Sequence, residues 1–131
     1  MNKPEQIRSM LQGKTIAVIG LSDNPQKPSH YVSLYMQQQG YTIYPVNPAI
    51  ESVLGQRSYP SLTALPLKPN VVNVFRLPNF IPAIVDEMLA LNLTNLWIQQ
   101  GIINEVAAAK AEAAGIAVVM DRCIMIEHRR H

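Results

Sequence analysis

Cysteine, metal-ligand clusters and catalytic motifs are scarce in this chain, and each scarcity excludes a class of protein. A single cysteine, Cys123, excludes an intrachain disulfide and is typical of a reducing compartment. His128 and His131 have no partners at metal-ligand spacing, so no metal site is expected. The sequence also lacks a nucleophile–base pair, paired carboxylates and a P-loop, so we predict no catalytic residues.

Long apolar runs and an excess of charge are also missing. No run approaches the roughly 18 residues that span a bilayer, and the N-terminus has no apolar segment of a secretory signal. Eleven basic residues against nine acidic ones give a net charge of +2, too small for a nucleic-acid surface despite a sequence pI of 8.8. These features predict a cytoplasmic protein that binds neither membrane nor nucleic acid.

Apolar residues make up 48% of the 131 residues and recur in short runs separated by amphipathic stretches. The runs predict strands, and the stretches between them predict helices that begin at polar or proline residues and end at glycine. Strands are predicted at 15–19, 41–46, 71–75, 95–98 and 117–120, with a short one near 57–59. Helices are predicted at 4–12, 30–39 with Ser29 as the cap, 78–91, and 105–114 with Asn104 as the cap. Residues 121–131 are predicted to be a tail.

This alternation of strands and helices favours an α/β fold. Continuous Val and Ile runs are typical of strands buried on both faces, and right-handed crossovers then give a Rossmann-like, doubly wound, mainly parallel five-stranded sheet. Three loops follow strand ends, at 20–28, 47–55 and 76–78. Loops of this kind line the ligand crevice where the strand order reverses.

The first of these loops indicates a phosphate ligand but argues against NAD. It reads G-L-S-D-N-P, and Gly20 is its only glycine, so the G-x-G-x-x-G fingerprint is absent. No acidic residue that would bind the ribose of NAD stands between Asp23 and Glu51, and no arginine for NADP appears after strand two before Arg57.

Short motifs along nearly the whole chain resemble the small CoA-binding proteins, which are similar to the N-terminal domain of the succinyl-CoA synthetase α subunit. The motifs, in family order, are V-I-G-L-S-D-N-P-Q-K-P-S at 18–29, Y-P-V-N-P at 44–48, L-G-Q-R-S-Y-P-S-L at 54–62, V-V-N-V-F-R at 71–76, L-W-I-Q-Q-G-I-I-N-E at 96–105 and V-V-M-D-R-C-I-M-I-E-H-R-R at 118–130. The resemblance implies that residues 1–131 form one CoA-binding, Rossmann-like domain. The synthetase's longer glycine-rich loop and its histidine-bearing second domain have no counterpart here.

The resemblance also implies a set of ligand-binding residues near the first two strands. The backbone of Gly20, Leu21 and Ser22 would meet the diphosphate, with the Ser22 hydroxyl adding a hydrogen bond. Lys27 and Ser29 would neutralise a phosphate, and which basic residue meets the 3′-phosphate stays open. The alternatives are that Gly20 only permits a tight turn and that Lys27 is a solvated surface charge.

Later loops complete the implied site. Val46, Asn47 and Pro48 would form a wall beside adenine and ribose, or else only a turn. Phe75, Arg76 and Pro78 would contact CoA, with Arg76 either pairing with phosphate or bridging to Glu105 or Asp86. Gln99 and Gly101, with Gln100 between them, would reach the pantetheine arm, whereas Trp97 is predicted to belong to the core.

Cys123 stands beside Arg122, which would lower a thiol pKa. A thiol near bound CoA would be able to form a mixed disulfide with it, although a lone cysteine is often simply buried.

Three functions remain open at this level. The first is non-catalytic binding of CoA or an acyl-CoA by a carrier, a sensor or a subunit, with a protein partner or a homo-oligomer as further options. The second is an NAD(P)-dependent oxidoreductase or an acyl-transfer subunit completed by another chain. The third is an interaction domain with a vestigial pocket.

Overall fold

A computed structural model describes residues 1–131 as a parallel sheet covered on both faces by helices. The strands are β1 (Thr15–Ile19), β2 (Thr42–Val46), β3 (Ser52–Val53), β4 (Gln56–Arg57), β5 (Val71–Val74), β6 (Asn95–Ile98) and β7 (Ala117–Met120). The helices are α1 (Pro4–Gln12), α2 (Pro28–Gln38), α3 (Ile81–Ala90), α4 (Glu105–Ala113) and α5 (Ile124–Arg130), and a 3-10 turn at Pro78–Phe80 leads into α3. No helix is long and apolar enough to cross a membrane.

The strand order β2-β1-β5-β6-β7 places the switch point between β1 and β5. The chain leaves β1 toward β2 on one side, and after the small β3–β4 hairpin it returns to β5 on the other side. All neighbouring strands of the five-stranded sheet are parallel, so their carboxyl ends share one edge. The predicted Rossmann-like fold class is confirmed.

Two apolar cores, one on each face, explain the continuous Val and Ile runs. Because side chains alternate along a strand, one set (Ala17, Val72, Leu96, Val118) packs under α3 and α4, and the other (Val18, Val71, Trp97, Val119) packs under α1, α2 and α5. Trp97 is completely buried, as predicted. Its indole Nε1 donates to the Arg122 carbonyl at 2.9 Å, which satisfies the one polar atom of the ring.

The predicted ends of most elements agree with the structure to within one or two residues, but α2 begins differently. The helix starts at Pro28 with Lys27 as its N-cap residue, and no side chain caps it. Ser29 lies inside the first turn, where its hydroxyl accepts a hydrogen bond from the Ser22 amide at 2.9 Å. The prediction that Ser29 caps α2 is therefore wrong. Asn104 does cap α4, because its Oδ1 accepts from the Ala107 amide at 3.0 Å.

The predicted tail is instead a helix that packs on the sheet. Ile124 and Glu127 of α5 are buried, and the Ile124 amide donates to Gln99 Oε1 at 3.0 Å. The His128 Nδ1 lies 2.8 Å from the Tyr35 hydroxyl oxygen of α2. The C-terminal segment thus belongs to the core layer beside α2.

Candidate functional site

The largest cavity of the protein, about 410 Å³, opens at the carboxyl ends of β1 and β5, directly at the switch point. We call it the switch-point cavity. It is lined by Gly20, Ser22, Lys27, Pro28, Ser29, Phe75, Arg76, Leu77, Phe80 and Ile102. Ligands of open α/β sheets bind at this position, because two loops diverge there and leave a crevice.

Gly20 brings the loop after β1 into close contact with the loop after β5. Its φ is +85°, and a Cβ atom built at this position would lie 2.5 Å from the Phe75 carbonyl oxygen. Its amide donates to the Val46 carbonyl at 2.9 Å. Gly20 is therefore required by the packing of the two loops, whatever ligand the cavity holds.

The rest of the loop is organised by its own polar side chains. Besides the bond from the Ser22 amide to Ser29, the Asn24 amide donates to Ser22 Oγ at 3.0 Å. The Gln26 amide donates to Asn24 Oδ1, also at 3.0 Å. The two serine hydroxyls thus accept hydrogen bonds from the loop, and their protons remain available to an acceptor in the cavity.

The switch-point cavity is electrostatically positive. Lys27 and Arg76 line it, no carboxylate does, and neither cation forms an ion pair within the chain. The N-terminus of α2 also faces this region without a side-chain cap and without an acidic residue in its first turn. The amides of Ser29 and Leu77 donate to no other group of the protein. Helix N-termini and unpartnered amides of this kind favour an anion.

A second cavity of about 230 Å³ lies on the β2 side of Arg76. Arg76 and Phe80 line both cavities, and the Arg76 Cζ lies 3.9 Å from the centroid of the Phe80 ring. The stacked pair therefore forms the partition between the two spaces. The second cavity is lined by Ile19, Val46, Pro48, Pro60, Ser61, Arg76, Phe80, Ala83, Ile84 and Glu87. Glu87 already accepts hydrogen bonds from the amide and hydroxyl of Thr63.

The stacking on Phe80 corrects the alternative prediction that Arg76 bridges to Glu105 or Asp86. Asp86 pairs with Lys110, with Nζ and Oδ1 3.1 Å apart, and no ion pair joins Arg76 to Glu105. The half-buried Arg76 guanidinium stays at the mouth of both cavities, where its remaining donors are open to a ligand.

Three other residues implied by the resemblance have contacts that serve the scaffold. Leu21 is completely buried in the core. Asn47 ties the β2 loop to the β1 loop, because its Nδ2 donates to the Leu21 carbonyl at 3.0 Å while its Oδ1 accepts from Ala49. The Pro78 carbonyl accepts from Asn104 Nδ2, which holds the 3-10 turn against α4. None of the three lines either cavity.

Gln99 and Gly101 likewise make their hydrogen bonds away from the two cavities. Gln99 is 4% exposed, and its amide oxygen holds the first turn of α5. The Gly101 amide donates to Asp121 Oδ1 at 2.8 Å. The structure brings neither residue to the two cavities, and Ile102 is the residue of this loop that lines the larger one.

Cys123 does not approach the switch-point cavity. It is buried, precedes α5 and borders a separate depression that includes Gln100 and Arg122. The Arg122 guanidinium donates to the Asp121 carbonyl. The hypothesis that this thiol meets the thiol of bound CoA has no support in this geometry.

Four residues that line the switch-point cavity were not predicted from the sequence: Pro28, Leu77, Phe80 and Ile102. Each of them follows a strand end or stands near the start of a helix, so the sequence already placed it at the edge of the sheet where ligands bind. Phe80 stands four residues after Arg76, a spacing that allows an aromatic ring in a helical turn to reach back to a guanidinium.

The parallel sheet and the cationic crevice at its switch point define a Rossmann-like α/β binding domain. Residues 14–129 match the model of the CoA binding domain family, and the chain belongs to that family. The expected resemblance is thereby confirmed over most of the chain.

The chain is also similar to proteins of other organisms. The uncharacterized protein YneT of Bacillus subtilis is 42% identical over 124 residues, which cover 94% of this chain and 92% of YneT. The solved structure of cell-free ID.343 from Thermus thermophilus is 38% identical, covers 98% of both chains and has a TM-score of 0.92. An ADP-forming acetate–CoA ligase of Archaeoglobus fulgidus is 29% identical over 83 residues, which are 62% of this chain and 12% of the ligase.

Proposed function

We propose that this protein binds coenzyme A or an acyl-CoA at the switch-point cavity without transforming it. The observation that carries the proposal is the pairing of two unpartnered cations, Lys27 and Arg76, with the uncapped N-terminus of α2 in a cavity that no carboxylate lines. Such a site favours a diphosphate, and membership of the CoA-binding family favours CoA as the molecule that carries it.

In this proposal the diphosphate lies against the loop after β1 and the N-terminus of α2. Lys27 acts as a point charge, and Arg76 offers a planar fork of donors. The Ser29 hydroxyl and amide supply neutral donors at the base of the crevice. Three kinds of donor from different segments thus converge on one anionic group.

The remaining parts of CoA fit the two apolar sides of the Arg76–Phe80 partition. The adenosine enters the second cavity, where Val46, Pro48 and Ile84 provide an apolar wall. The pantetheine arm leaves past Leu77 and Ile102, which line the larger cavity. This arrangement retains the predicted role of Val46 and Pro48 and moves the pantetheine contact from Gln99 and Gly101 to Leu77 and Ile102.

The residues around the cavities support binding rather than catalysis. Neither lining contains a cysteine, histidine or aspartate, and the one carboxylate, Glu87, is engaged by Thr63. Lys27 and three serines are the remaining groups that could act in acid–base or nucleophilic catalysis, and neither lining holds a histidine or a free carboxylate to activate them. Likewise, β2 ends at Val46 and is followed by Asn47 and Pro48, with no acid for an NAD ribose.

The test is calorimetric titration of the protein with CoA, acetyl-CoA, pantetheine and NAD. We expect saturable binding of CoA and acetyl-CoA, much weaker binding of pantetheine because it lacks the diphosphate, and no comparable binding of NAD. Binding of NAD alone would overturn the proposal in favour of a dinucleotide site. Absence of binding by all four compounds would overturn it in favour of a vestigial pocket.

Lys27→Gln is expected to weaken CoA and dephospho-CoA equally, because we place Lys27 at the diphosphate. Lys27 is exposed, so screening limits the loss to about three- to tenfold. Lys68→Gln is the matched control, since Lys68 is an exposed lysine outside both cavities. A loss confined to CoA would move Lys27 to the 3′-phosphate, and unchanged affinity for both ligands would remove it from the site.

A further inference from the structure

A second positively charged cavity lies at the opposite end of the sheet. Its volume is about 280 Å³, and it is lined by Arg8, Leu11, Gln12, Lys14, Tyr41, His128 and His131. We call it the basic cavity. Lys14 and Tyr41 directly precede β1 and β2, so this cavity opens at the amino ends of the strands. It shares no residue with the switch-point cavity.

The basic cavity gathers four cationic or protonatable side chains from three segments, and no aspartate or glutamate side chain lines it. The nearby Glu127 is already paired with Arg130, at 3.1 Å between Oε2 and Nη1, and lies 4.0 Å from His131 Nε2. Basic residues at the end of α5 stabilise its dipole, but this effect does not account for Arg8 of α1 or for Lys14. Arg8 and Lys14 are two cations at one cavity whose lining holds no acidic side chain, and this arrangement favours an anionic ligand.

Two of these side chains are held in place before any ligand arrives. The Lys14 Nζ lies 4.3 Å above the centroid of the Tyr41 ring. His128 is fixed by the hydrogen bond to Tyr35 and stands edge-on to the rings of Tyr35 and Tyr41, at 5.5 and 5.7 Å between centroids. A preorganised site loses less conformational entropy on binding, so its affinity for a matching anion is higher.

The floor of the basic cavity is also fixed. The Tyr41 hydroxyl donates a hydrogen bond to the Leu11 carbonyl, which joins the residue before β2 to the end of α1. Burial, and to a smaller extent the neighbouring Tyr35, raises the pKa of the Tyr41 phenol. The hydroxyl therefore stays protonated and keeps this contact through the physiological pH range.

We propose that the basic cavity is a second anion-binding site that takes a compact, multiply phosphorylated small molecule. Phosphate oxygens accept from the planar donors of Arg8 and the ammonium of Lys14, and His128 and His131 add donors on the α5 side. The cavity volume is just below the range of about 300–1,000 Å³ that is usual for larger organic ligands, which favours a compact anion. This site is independent of the proposed CoA site, because the two lie at opposite ends of the strands.

The three histidines of the chain allow binding at the two cavities to be observed separately. His128 and His131 line the basic cavity, while His30 follows Ser29 at the switch-point cavity. We would follow the imidazole NMR signals while titrating CoA-saturated protein with inorganic tripolyphosphate. Saturable shifts of His128 and His131, with His30 unmoved, are the expected result. Shifts that sodium chloride reproduces at equal ionic strength would overturn the proposal.

The matched variants are Arg8→Gln with Lys14→Gln in one protein and Arg57→Gln with Lys68→Gln in the other. Both remove two exposed cations, but only the first pair lines the basic cavity. We expect the first variant to lose at least about tenfold in tripolyphosphate affinity and the second to keep it. Equal losses in the two variants would overturn the proposal, as would citrate binding as tightly as tripolyphosphate. CoA affinity is expected to stay unchanged in both.

Discussion

Arg76→Gln is expected to lower the affinity for CoA by about 1.5–3 kcal/mol, or roughly 10- to 150-fold, while the protein remains folded. The guanidinium is half-buried at the boundary of the two cavities, where its charge is screened less than that of the exposed Lys27. Glutamine keeps part of the aliphatic stem but removes the charge and the planar fork. Calorimetric titration with CoA and with pantetheine measures the effect.

The control for this variant is Arg57→Gln. Arg57 also lies over an aromatic ring, 5.5 Å from the centroid of Tyr59, but it lines neither cavity. We expect Arg57→Gln to bind CoA normally, and we expect Arg76→Gln to bind pantetheine as weakly as the unaltered protein does. If Arg76→Gln kept its CoA affinity, the diphosphate would not lie at the partition, and the proposed placement of CoA would be wrong.

The strands were predictable because burial on both faces leaves a strong signal. Residues 15–19, 95–98 and 117–120 match the observed strands, since a parallel strand under two helical layers has almost no polar positions. The short helix α5 left a weaker signal, because seven residues ending in H-R-R resemble a solvated tail. Its place is fixed by tertiary contacts to Gln99 and Tyr35, which no local pattern reveals.

The candidate site was also predictable only in part from the sequence. Topology alone brings residues directly after strand ends to one edge, and Gly20, Ser22, Phe75 and Arg76 do line the switch-point cavity. Which way a side chain turns within such a loop is decided by packing and hydrogen bonding. Asn47 and Gln99 were equally well placed in the chain, yet their amides are used to join loops and to hold a helix.

Gly20 shows how a residue predicted for binding can be required for folding. Gly20→Val, chosen to block the close approach of a diphosphate, would not test the ligand contact alone. Any side chain here meets the Phe75 carbonyl oxygen at 2.5 Å, and β1 and β5 are hydrogen-bonded neighbours that cannot separate easily. Reduced CoA binding by a Gly20 variant would therefore report damage to the fold as much as loss of a ligand contact.

Gly20→Ala is accordingly expected to lower the free energy of unfolding by about 2–4 kcal/mol, the sum of a strained positive φ and a backbone clash. Gly101→Ala separates the two causes, because Gly101 has the same φ of +85° but no atom within 4 Å of an added Cβ. That control should lose only the conformational part, about 1–2 kcal/mol. Urea denaturation of both variants measures the two losses in the free energy of unfolding. Equal stabilities of the two variants would show that the loop after β5 moves aside freely. The expected lower stability of Gly20→Ala would mean that the packing between the loops after β1 and β5 sets the shape of the switch-point cavity.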